Sequence, residues 1–223
     1  MTINFKLVVF VLIAVSINIY SQIYESIDTT AAKYFISLSN KDSKADDDLF
    51  KLNEILFKNY EKDELESKYQ ISMNDFGRLK NYFNEYESRL RNISSDSALF
   101  LFNQWYLKLN NTFYDYTVNK FFSSPKTKVL FLSTSMSCYC TLEMCKNQVL
   151  DILKLVRSGS DEYSYLVIDA YENSDLPMKY ETLFVPSVIV FDNNDQMLYK
   201  IEYDEKMIDQ LAFFLNGNNE TRD

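Results

Sequence analysis

Apolar positions follow two rhythms along the chain, and the change falls near residue 125. From residue 23 to 125 they recur every three or four places, the spacing of one helix face. Asp28 opens a short helix with Ala31, Ala32, Tyr34, Phe35 and Leu38, and the polar stretch from Ser39 to Asp48 reads as a loop. Asp46, Asp47 and Asp48 suit the first turn of a second helix, where carboxylates meet the positive end of the helix dipole. Its apolar face carries Leu49, Leu52, Leu56 and Tyr60. Ser72 caps a third helix with Phe76, Leu79, Phe83, Tyr86 and Leu90; Ser95 or Asp96 caps a fourth with Leu99, Phe102, Trp105, Leu109, Phe113 and Tyr116. These stripes predict an all-α module over 23–125 whose aromatic side chains form a core. Ser123, Ser124 and Pro125 read as a linker.

From 126 to 217 the pattern changes to short apolar runs bounded by polar turns. Val129–Leu132 predicts a strand, and a helix follows with Val149, Ile152, Leu153 and Val156 on one face. Glu162–Ala170 predicts a second strand, and Leu176–Phe184 a short helical or irregular crossing. Ser187–Phe191 and Met197–Tyr203 predict an antiparallel hairpin around the turn Asp192–Asp195. Lys206–Asn216 predicts a closing helix, and residues 218–223 a frayed tail. The order is β, α, β, crossing, β, β, α, an α/β domain after an all-α module.

Before both modules, Lys6 precedes an apolar run from Leu7 to Ile19, with the small residue Ser21 placed for cleavage. Residues 1–22 therefore read as a signal peptide, because the run is shorter than the roughly 20 residues of a membrane span. Left uncleaved, it would be the chain's membrane anchor. Export, periplasmic or secreted, means an oxidising compartment where paired cysteines form disulfides.

Composition narrows the chemistry. A net charge of −9 without a basic block argues against nucleic acid. There is no histidine, which excludes a Ser–His–Asp triad, a Cys–His pair and a His-ligated zinc. No Gly-rich phosphate loop is present, so no organic cofactor is implied. All three cysteines, Cys138, Cys140 and Cys145, fall within eight residues between the first strand and its helix. A helix start offers unpaired N–H groups and partial positive charge, which favour a thiolate. Cys145 lies four before Val149 and seven before Ile152, on the buried face, which reads as core rather than a third reactive thiol, with a disulfide to Cys138 or Cys140 as its rival role.

The segment from Val129 to Asn216 resembles the thioredoxin-like superfamily. Cys138 stands nine residues after Val129, the offset of that family's attacking cysteine, and Lys179, Tyr180, Val185, Pro186 and Ser187 to Phe191 follow its proline motif. The resemblance implies a thioredoxin-like C-terminal domain, a cis Val185–Pro186 peptide facing the cysteines, and thiol–disulfide exchange. The departures are specific. Thr141 stands where the family has its second cysteine, Ser137 replaces its tryptophan, Leu132 its buried aspartate, and the Gly-Pro of the turn is absent.

Three readings follow. In the first, Cys138 attacks and Cys140 resolves, with Pro186 beside them, exchanging disulfides with other exported proteins. The small ring of a Cys-X-Cys disulfide points to an oxidising or isomerase-like poise. In the second, Cys138, Cys140 and Cys145 with Met136 and Met144 hold Cu(I), since thiolates and thioethers select that ion, making the protein a copper carrier or metal-site assembly factor. In the third, the thioredoxin-like domain is a non-catalytic binding module.

Overall fold

The structure, a computed structural model, describes residues 23–158 and 162–219. The signal-peptide expectation for residues 1–22 lies outside these described residues. Among the described residues six helices come first: α1 (Ile23–Ser39), α2 (Ala45–Leu56), α3 (Lys62–Tyr69), α4 (Met73–Leu90), α5 (Ser95–Thr112) and α6 (Tyr114–Phe122). Then follow β1 (Thr127–Ser133), α7 (Tyr139–Ser158), β2 (Tyr163–Asp169), α8 (Asp175–Lys179), β3 (Ser187–Phe191), β4 (Met197–Glu202) and α9 (Met207–Asn219).

The helical half departs from the expected pattern in several places, and Tyr60, expected on the face of the second helix, lies beyond its end at Leu56. Helix α1 starts at Ile23 rather than Asp28, because Ile23, Tyr24 and Ile27 are also buried and extend its stripe by one turn and more. The loop after it is shorter than Ser39–Asp48, since α2 begins at Ala45 and takes the aspartates into its first turn. Helix α3 was not legible: its sequence KDELESKY buries only Leu65 and Tyr69. The fourth stripe is two helices, not one. The backbone leaves the helical region at Phe113 (φ −103°, ψ 22°), so Tyr116 belongs to α6. Ser72 caps α4 as expected, accepting from the Asp75 amide at 3.1 Å. The cap of α5 is Ser94, one residue before the expected position.

In the second half the sheet order is β2-β1-β3-β4, with β1 parallel to β2 and antiparallel to β3, and β3 antiparallel to β4. This is the thioredoxin-like arrangement, and the Val185–Pro186 peptide before β3 is cis. The central strand β1 is buried on both faces, so its sequence is a continuous apolar run rather than an alternation. Val129 and Phe131 face the larger core with Val149, Ile152 and Leu153 of α7. Leu130 and Leu132 face a smaller one with Phe121 of α6 and Leu176 of α8. Burying a side chain such as Phe131 contributes roughly 1.5–3 kcal/mol. The tight turn between β3 and β4 is closed by Lys128, whose fully buried Nζ donates to the carbonyls of Asp192 (3.1 Å) and Asn193 (3.3 Å) and pairs with Asp195 at 3.0 Å.

The larger core is continuous from the N-terminal helices into the sheet, running from Ile23 and Phe35 through Trp105 to Val167 and Leu215. A buried polar cluster spans the same junction. Asp28 of α1 accepts from Tyr106 of α5 (2.6 Å), Tyr165 of β2 (2.7 Å) and Arg157 of α7 (2.8 Å). Burial raises the phenols of Tyr106 and Tyr165 well above their ordinary range, and the Asp28 charge adds to it. Closing helix α9 runs through Asn219, past the expected boundary of the tail at 218.

Candidate thiol site

Strand β1 delivers the chain to the polar stretch Thr134–Ser137, and α7 starts at Tyr139. Two turns of hydrogen bonding organise the link. The Asp169 carboxylate, buried at the end of β2, accepts from the amides of Ser135 (3.0 Å) and Tyr171 (3.1 Å). Thr134 Oγ1 both donates to the Met136 carbonyl (3.0 Å) and accepts from the Met136 amide (3.2 Å). This fixes Cys138 at the N-terminal cap of α7, where its carbonyl accepts from the Leu142 amide at 3.0 Å.

Cys138 and Cys140 are both exposed free thiols, with their Sγ atoms 2.8 Å apart. A disulfide has S–S near 2.05 Å, so closing this one needs a movement of under about 1 Å. The Cys138 thiol is pulled down to about 6. The largest cause is the hydrogen bond from Cys140; the Thr141 hydroxyl and backbone N–H follow, burial opposes slightly, and Ser137 adds a small pull. Thr141 Oγ1 lies 3.2 Å from the Cys138 sulfur and 3.4 Å from the hydroxyl of Tyr203. Tyr203 follows β4, and its amide donates to the carbonyl of Pro186 at 2.8 Å. The cis-proline loop and the cysteine turn are therefore joined through Tyr203 and Thr141. Sequence reasoning passed over Tyr203, because it lies 62 residues from Thr141 and carries no local signal.

Cys145 does not join the pair. It is fully buried on the inner face of α7, nearly two turns into the helix, and burial pushes its thiol up against smaller pulls from Ser133 and the Thr134 backbone. Met136 is exposed on the turn, and Met144 is half-buried on α7. Among the described residues no group of three His, Cys, Asp or Glu side chains is placed to share one metal ion.

Large apolar side chains are exposed on the cysteine turn, at the start of α7, on the cis-proline loop and just after β4. Met136, Tyr139, Leu183, Phe184 and Tyr203 are exposed by between 47% and 81%, and large apolar side chains left in water together mark a contact surface. Phe184 and Tyr203 pack with ring centroids 6.5 Å apart. Tyr139, between the two cysteines, stacks on Phe100 of α5 at 6.1 Å, so the helical half supplies part of the rim. Glu202 accepts from the amides of Leu183 (2.9 Å) and Phe184 (3.1 Å) and holds the cis-proline loop.

No family model matches the chain, and no curated protein matches it. Solved structures do. The chain is similar to the germline-specific thioredoxin Deadhead of Drosophila melanogaster, with 19% identity over 47% of this chain and 90% of that one and a TM-score of 0.38. It is similar to thioredoxin from Trypanosoma brucei brucei, with 16% identity over 46% and 83% and a TM-score of 0.39. A third is mitochondrial thioredoxin 3 from Saccharomyces cerevisiae, with 13% identity over 44% and 86% and a TM-score of 0.36. The fold assignment rests on the strand order and the cis-proline loop rather than on these scores.

Proposed function

We propose that this is an exported thiol–disulfide exchange protein in which Cys138 attacks and Cys140 resolves. The observation that carries the reading is the exposed pair of sulfurs 2.8 Å apart at the start of α7, one of them held as a thiolate near neutral pH. The Cys138 thiolate attacks one sulfur of a partner's disulfide, and the other partner sulfur leaves as a thiolate that takes up a proton. The Cys140 thiolate then attacks Cys138, breaks the mixed disulfide and releases the second partner thiol. Two electrons pass from the protein to the partner, and Cys138 and Cys140 end as a disulfide. Run backwards, the same steps oxidise a partner dithiol. Stabilising the Cys138 thiolate stabilises the reduced protein, which favours the oxidising direction. Export is part of the proposal through the apolar N-terminal run: in the partner-oxidising direction the pair ends as two thiols, and an oxidising compartment supplies the oxidant that re-forms its disulfide.

The buried Cys145 has no part in these steps. The apolar collar receives the polypeptide around the partner's cysteine. The test is a trap. Cys140→Ser should accumulate mixed disulfides with exported proteins through Cys138, and Cys138→Ser should accumulate none. Equal trapping by both variants would overturn the order of attack, and trapping by neither would overturn the activity.

A further inference from the structure

Thr141 stands in the position where the resemblance places a second cysteine, and its side chain is buried between a reactive sulfur and a phenol. A threonine hydroxyl has one proton to give and lone pairs to receive, whereas a thiolate only receives. With Cys138 ionised, the 3.2 Å contact requires Thr141 to donate to the sulfur. Its oxygen is then left to accept, and the group facing it is the Tyr203 hydroxyl at 3.4 Å, a donor. Proton direction is thereby set along one line, from Tyr203 through Thr141 to Cys138. The opposite direction, with Thr141 donating to Tyr203, withdraws the proton from the sulfur.

Tyr203 is held for this arrangement by its backbone. Its φ is 50°, in the left-handed region that bulky residues seldom enter, and such conformations persist where the surroundings impose them. Two contacts do so here: the Tyr203 amide on the Pro186 carbonyl at 2.8 Å, and the ring against Phe184. The left-handed residue comes directly after β4 ends at Glu202. Tyr203 is half exposed, so its phenol also borders the surface a partner would meet.

We propose that Tyr203 is a positioning residue for Cys138, acting through the Thr141 hydroxyl to hold a donated proton on the attacking sulfur. The inference rests on Cys138 being the attacking thiol of the proposed exchange. Cys140 gives that sulfur a second hydrogen bond, which the variants below leave in place.

The experiment measures alkylation of Cys138 by iodoacetamide at pH 5 in the reduced full chain, with the labelled peptide quantified by mass spectrometry. It also measures the glutathione redox equilibrium of the Cys138–Cys140 pair. Below its pKa, a thiol raised by one unit loses about tenfold in thiolate, and its greater intrinsic nucleophilicity returns about threefold. Thr141→Val is expected to slow alkylation about threefold, and Thr141→Ser to restore the wild-type rate. Tyr203→Phe is expected to slow it about twofold and to add nothing in the Thr141→Val background, with the redox equilibrium moving toward the disulfide in the same order. A wild-type rate in Tyr203→Phe would overturn the proposal. So would an equal slowing by Tyr203→Phe in both backgrounds, or a Thr141→Ser rate as slow as Thr141→Val. Tyr203→Leu repeats the test should the phenylalanine variant not fold. Alkylation needs no partner protein, so these outcomes are separate from whether exchange with exported proteins occurs.

Discussion

Replacing Asp28 by alanine leaves three donors facing a gap: the phenols of Tyr106 and Tyr165 and the guanidinium of Arg157. The three come from α5, β2 and α7, so one side chain on α1 ties the helices to the sheet. Tyr106 is fully buried, and the Asp28 and Arg157 side chains are only 10% and 20% exposed, so water reaches the orphaned groups poorly. Removing one partner of a buried ion pair costs about 3–5 kcal/mol. The stranded phenols contribute within that figure, since each unsatisfied donor costs about 1–3 kcal/mol and the three can partly re-pair. At this chain length 1 kcal/mol moves the melting temperature by about 2–4 °C, so Asp28→Ala is expected to lower it by about 6–20 °C. Asp28→Asn keeps one acceptor oxygen and should lose less.

The assay is guanidinium denaturation followed by two probes. Trp105, the single tryptophan, lies buried in α5 and reads the helical half. Alkylation of buried Cys145 reads the half built on the sheet. Because the core runs through both, the two transitions should coincide and shift together. A loss under about 1 kcal/mol would refute the buried-pair argument. A shift of the Trp105 transition alone would refute the shared core.

Three further outcomes are expected. Lys128→Ala strips the β3–β4 turn of its buried donor and leaves a void, and should cost about 2–4 kcal/mol, against about 1–2 for Lys128→Met, which keeps the stem; paired chemical denaturation curves check this. Ser72→Ala removes the cap of α4 and should cost about 1 kcal/mol in the same measurement. For pH, the folded Cys138 thiol at about 6 lies below the free-thiol value of about 8.5. Its contribution to the stability of the reduced protein is full above about pH 8.5, shrinks as pH falls, and is gone below about 6. The stability difference between wild type and Cys138→Ser should shrink over that window, and a difference constant with pH would contradict the depressed thiol.

The parts of the structure that depend on neighbours in sequence were legible there. The continuous run of β1, the breaker-rich turn of Asp192–Asp195 and the proline before β3 each carry their own local signal, and Cys145 fell on the buried face of α7 by its spacing to Val149. Long stripes located α4 and α5 because buried positions repeat over several turns, and α2 was placed by the aspartates of its first turn together with the spacing of Leu49, Leu52 and Leu56. What was missed depends on distant partners or on too few residues. Helix α3 has two buried positions, too few to show a period. The break at Phe113 leaves the stripe intact, because residues on both sides pack into the same core. The Asp28–Arg157 pair spans 129 residues and the Thr141–Tyr203 contact 62, so only the fold brings these groups together. The reactive pair was visible as two cysteines, but not what surrounds it.

The most direct measurement is a thiol count by mass spectrometry on protein isolated from its own compartment, alkylated before and after reduction. The expected result is one reversible disulfide joining Cys138 and Cys140 in part of the molecules, with Cys145 free throughout. Three free thiols in every molecule, or a disulfide that includes Cys145, would contradict exchange through the Cys138–Cys140 pair.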